Sequence, residues 1–100
     1  MAVKSSTASN GQYADEVLVT RLAQGDAGAL EILYDRYAPL VLGIALKIVG
    51  DRAAAETVLQ ETFWRLWKDP SPSQAGSIPS WLFRTARRLA VEAVPSNGFK

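Results

Sequence analysis

From Tyr13 onward, apolar residues recur at spacings of three and four, and nowhere do Val, Ile or Thr alternate with polar residues at a period of two. That pattern builds helices and leaves no strand, so the expected fold is all-α. Two Gly-Asp pairs, Gly25-Asp26 and Gly50-Asp51, cut the pattern into pieces. Glycine closes a helix in the left-handed conformation at little steric cost, and an aspartate carboxylate then caps the next helix by accepting from its free N–H groups. The first helix carries Val17, Leu18 and Leu22. The second carries Leu30, Leu33, Tyr34 and Tyr37, and continues through Val41, Ile44, Ala45 and Ile48. Pro39 is expected to kink or restart it. The third runs from Asp51 to Lys68 and stops at Asp69-Pro70. A turn-rich loop, residues 70–77, leads to a final helix from Ser77 or Ile78 to Val94, which Pro95 ends.

The result is a compact bundle of four to five helices, residues 13–94, with a flexible tail at 1–12 and the start of a linker at 95–100. One hundred residues suffice for one core and no more. The sequence has no cysteine and no histidine. Disulfides, thiol nucleophiles, thiolate or imidazole metal sites and the commonest general base are therefore excluded. No enzyme activity, catalytic residue, metal or cofactor is expected. The longest apolar stretch, Ala38 to Leu46, is broken by Pro39 and Gly43 and is about half what a membrane helix requires. No secretory signal precedes it, so a cytoplasmic protein without membrane contact is expected.

Two helices have unusual outer faces. On the third, Ala55, Leu59, Thr62, Phe63 and Leu66 form a core stripe, while Thr57, Gln60, Glu61, Trp64 and Lys68 lie opposite. A tryptophan among polar residues fits a protein-docking face, and equally an indole tucked against a neighbouring helix. Glu61 and Arg65, four apart, need be no more than a stabilising pair. On the last helix Leu82, Ala86, Leu89 and Ala93 form the core side, and Trp81, Arg84, Thr85, Arg88 and Glu92 the other, with Arg87 on its flank. Residues 1–70 hold seven basic and nine acidic side chains; residues 71–100 hold four basic ones against Glu92 alone. Guanidinium groups beside an aromatic ring suit nucleic acid, where charge meets phosphate and the ring stacks on an unpaired base. The other reading is a solvated helix surface that complements the helix dipole.

Three stretches resemble region 2 of a bacterial RNA polymerase sigma factor of the extracytoplasmic-function (ECF, group IV) type. They are LAQGDAGALEILYDRYAPLV (22–41), GDRAAAETVLQETFWRLWK (50–68) and IPSWLFRTARRLAVE (78–92). The resemblance implies a transcription initiation domain that binds core RNA polymerase and recognises and melts the −10 promoter element. It places Thr57, Gln60, Glu61, Trp64 and Arg65 against the coiled coil of the polymerase beta-prime subunit. It places Trp81, Arg84, Arg87 and Arg88 on promoter DNA, the non-template strand at −10, and makes loop 69–77 the holder of a flipped base. It also implies an anti-sigma factor as partner. Thr57 stands where the family usually has an acid, Arg88 where many members have Asn, and Glu92 where many have Asp. Region 4, which reads the −35 element, is not among these residues. That and Thr57 keep open an alternative: a sigma-like decoy that binds polymerase or an anti-sigma factor without productive DNA contact.

Overall fold

Each Gly-Asp pair ends one helix and starts another, in the computed structural model that describes residues 13–71 and 76–94. Among these residues the chain forms α1 (Asp15–Ala23), α2 (Ala27–Val49), α3 (Arg52–Lys68) and α4 (Ile78–Ala93), with no strand. Gly25 lies at φ 85° and lets the N–H groups of Gly25 and Asp26 turn back onto the carbonyls of Leu22 and Arg21. The Asp26 carboxylate then accepts from Gly28 N at 2.9 Å, opening α2. Gly50, at φ 71°, donates to the Leu46 carbonyl, and Asp51 accepts from Ala54 N at 2.8 Å to open α3. So short a connection makes α2 and α3 neighbours in the bundle. Ser77 caps α4 by accepting from Ser80 N, and Pro79 occupies the first turn, where its missing N–H has no consequence.

The 23-residue α2 is the central element: α1, α3 and α4 all pack against it. It runs through Pro39 without restarting, contrary to one of the two outcomes the sequence allowed. A proline removes the hydrogen bond to the carbonyl four residues earlier, here that of Asp35. Both residues lie on the exposed side, where water can satisfy that carbonyl. The core draws on every helix, with Leu18, Leu33, Val41, Leu66 and Leu82 fully buried. Thr62 is buried with them, and its hydroxyl is satisfied by donating to the Val58 carbonyl at 2.7 Å. Val17, assigned to the inner stripe of α1, is instead 44% exposed, and Val19 takes its place. Ala93 is also exposed, because α4 is uncovered over its last turn, residues 91–93. Residues 1–12, 72–75 and 95–100 lie outside the described residues, so the expectations for the tail, part of the 69–77 loop and the linker fall outside them too.

The start of α1 is fixed by charge. Asp15 accepts from Arg36 at 2.6 Å and from the Tyr37 hydroxyl, both on α2. Burial, and then the bond to Asp15, push the Tyr37 phenol up to about 12 from 10.0. The fold thus favours the neutral phenol. Its contribution is complete below pH 10 and is lost as pH rises toward 12. Tyr37→Phe should cost about 1.5 kcal/mol at neutral pH, the worth of a hydrogen bond to a charged group. Between pH 10 and 12 the wild type should lose stability relative to the variant in urea titrations. Parallel pH profiles would place the titration elsewhere.

Candidate functional site

Residues spaced by three and four stand one above another on a helix. On α3 this lines up Thr57, Gln60, Glu61, Trp64 and Lys68; on α4, Trp81, Arg84, Thr85, Arg88 and Glu92. Packing α3 against α4 turns most of both rows into the walls of one open trough of about 1050 Å³. Glu61, Trp64, Arg65 and Lys68 form the α3 wall; Trp81, Arg84, Arg87 and Arg88 form the α4 wall. The two candidate faces, read from sequence as separate surfaces, share a single concavity.

The walls differ in charge state. On α3 the side chains are internally engaged: Arg65 donates to Glu61 at 3.1 Å, and the Lys68 ammonium lies 5.7 Å from the Trp64 ring centroid. A partner at this wall must compete with those contacts, each weak because it is exposed. On α4, Arg84 donates to the Ser80 hydroxyl at 3.2 Å. Arg87 and Arg88 have no carboxylate partner among the described residues, although Glu92 is one turn from Arg88. Free guanidinium groups in a concavity set up a positive field that an incoming anion meets without first breaking an ion pair.

The two indoles sit differently. Trp64 is 52% exposed and turned outward, while Trp81 is partly buried against the core and also lines the trough. Thr85, placed with the outer row, is buried. Both corrections have one cause: α4 packs against α2 and α3 together, so its covered surface is wider than a single stripe. Thr57 and Gln60 stay out of the trough. Gln60 instead lines an apolar hollow of about 340 Å³ between α2 and α3, with Tyr34, Trp67 and the far side of Trp64. The Thr57 hydroxyl donates to the Ala53 carbonyl of its own helix. One lining residue escaped the sequence reading. Val91, 58% exposed, stands seven after Arg84 and three after Arg88, a spacing that could have revealed it. No cluster of metal-ligating side chains occurs among the described residues, and no helix is long and apolar enough to cross a membrane.

The family model for sigma-70 region 2 matches residues 33–99. The chain belongs to the sigma-70 region 2 family. Relatives of this sigma region include the ECF RNA polymerase sigma factor SigL of Mycobacterium tuberculosis, 34% identical over 84 residues, 82% of this chain and 48% of that protein. The ECF RNA polymerase sigma factor SigK of a Mycobacterium species (strain KMS) is 31% identical over 83 residues, 81% of this chain and 43% of that one. The RNA polymerase sigma-H factor of Pseudomonas aeruginosa is 30% identical over 88 residues, 87% and 46% respectively. The sigma region 2 chain spans about half the length of the curated relatives it matches. No solved structure matches it.

If Trp64 is a surface group of this sigma region 2, removing it should leave the fold almost intact. Trp64→Ala should cost about 1 kcal/mol or less, as surface changes do. Its neighbour Phe63, buried and edge-on to Tyr34 at 5.0 Å, should cost about 3–5 kcal/mol as Ala. Urea unfolding of the two variants checks this; equal losses would make Trp64 a core residue.

Proposed function

We propose that this domain recruits core RNA polymerase through α3 and captures the opened −10 element of a promoter through α4, as the region 2 of an ECF sigma factor. The observation that carries the reading is the shared trough, which sets arginines without a carboxylate partner among the described residues and a partly exposed indole opposite a row of carboxylate, guanidinium and indole, with the Gln60 amide on the adjoining face of α3. Gln60 and Glu61 would be the central contacts to the beta-prime coiled coil, with Thr57, Trp64 and Arg65 around them. Trp81 would stack on a base of the non-template strand, while Arg84, Arg87 and Arg88 take phosphates.

The mechanism needs no bond making. Opening a promoter exposes unstacked bases and two charged strands, and a protein that binds the open form better shifts the equilibrium by that difference alone. Base–aromatic stacking contributes about 1–3 kcal/mol per base. Each phosphate contact releases counterions and adds an affinity that salt weakens. Extruding a base costs a few kcal/mol, so one stacking site and several cations are of the right order to offset it. Because the α3 and α4 walls face one another, a polymerase seated on α3 would close one side of the trough and hold the strand against α4. The work is that of a non-catalytic transcription factor, carried out in the cytoplasm, with an anti-sigma factor as a further partner.

Two experiments test the two walls. Gln60→Ala with Glu61→Ala should lower recovery of core polymerase in a pull-down by tenfold or more; undiminished recovery refutes the α3 assignment. Trp81→Ala and Arg84→Ala, placed in a sigma factor that carries this region, should slow promoter opening in a permanganate assay while polymerase binding is kept. Opening at the normal rate removes both residues from the mechanism, and with them the preference over a decoy that binds polymerase alone.

A further inference from the structure

A second trough, of about 430 Å³, lies on the other side of α4, where it packs on the C-terminal half of α2. Its floor is apolar, made by the half-buried Ile44, Ile48 and Phe83, and its rim carries Lys47, Arg84, Arg87 and the exposed Val91. No carboxylate lines it, whereas the α3/α4 trough includes Glu61, Asp69 and Glu92. Lys47 is exposed and makes no ion pair among the described residues. A lysine in the last turn of α2 complements the helix dipole. The dipole, however, does not require that it share a concavity with two arginines of another helix. Arg84, Arg87 and Val91 line both troughs, so the arginine edge of α4 is a ridge between them.

We propose that Lys47 takes a DNA backbone phosphate, so that the bound DNA crosses the α4 ridge and continues onto α2. This rests on the nucleic-acid reading of α4 given above. The chemistry suits a nucleotide backbone: three cations spaced around the rim meet phosphates, and the apolar floor takes the apolar faces of deoxyribose. A phosphate contact by a lone ammonium carries no base specificity, so Lys47 would set affinity and path and leave sequence preference unchanged.

The test measures binding of the chain to fluorescent single-stranded and duplex oligonucleotides across a salt series, for the wild type, Lys47→Ala, Lys47→Arg and Arg84→Ala with Arg87→Ala. Lys47→Ala should weaken binding about fivefold near 0.1 M salt, equally for different sequences, and reduce the slope of log affinity against log salt by one phosphate's worth. That is about 0.9 if the phosphate belongs to duplex and about 0.7 if it belongs to a single strand. Lys47→Arg should restore both. If Lys47→Ala leaves both slopes unchanged while the double arginine variant lowers them, the path over α2 is wrong and the α4 reading stands. If Lys47→Ala spares DNA but weakens binding to an acidic peptide such as oligoglutamate, the trough is a protein site and the proposal is overturned. If the double variant changes nothing, or the wild type binds neither oligonucleotide at low salt, the α4 reading and this proposal fall together.

Discussion

The surface of this domain depends on how closely α3 and α4 settle against α2. Ala29 and Ala45 on α2, Ala55 on α3, and Ala86 and Ala90 on α4 are all at most 1% exposed. Small side chains at helix contacts bring the axes close, toward the lower end of the usual ~8–10 Å range. Larger leucines, Leu33, Leu66 and Leu82, fill the space between the alanines. That alternation seats α4 deeply enough to cover Thr85 and half of Trp81, and it fixes the width of the trough whose walls carry the charged rows.

Within that frame, the division of labour between α3 and α4 is electrostatic. Charges on the α3 wall are paired along the helix, as Glu61 with Arg65, and Lys68 lies over Trp64. Such a surface is near neutral and offers paired charges and an exposed indole. On α4, Glu92 alone opposes three arginines and pairs with none of them. That leaves a positive field that weakens with ionic strength. One trough thus presents two kinds of chemistry, and a ligand on one wall changes the solvent and charge seen by the other.

Much of this was legible in the residues. Asp26, Asp51 and the glycines before them act through bonds to their own chain, within a few residues, so their roles as caps follow from local chemistry. The core stripe of α3 was legible too: Ala55, Leu59, Thr62, Phe63 and Leu66 are all buried. The inner face of α4 was read less well. A wheel with one buried side suits a helix that leans on one neighbour, and α4 leans on both α2 and α3. Thr85 and Trp81 therefore turn inward further than spacing implies, and Ala93 outward, on a turn with nothing over it. Val17 and Val19 stand two apart, on nearly opposite sides of a nine-residue helix, which is too short for periodicity to fix which side is inward.

The candidate site divides the same way. Its chemical inventory, an outward indole with amide and carboxylate on one helix and arginines with an indole on the other, is a property of the sequence. Side-chain type and helical spacing are encoded residue by residue. That the two rows face one another, that Gln60 and Thr57 fall outside their trough, and that Lys47 shares a concavity with Arg84 and Arg87 were decided only by tertiary packing. Those relations join residues 37 to 40 positions apart in the case of Lys47, and no local periodicity carries information across such a distance. The angle and depth at which one helix lies on another come from the sum of many small contacts in the core, and that sum is fixed only when the chain has folded.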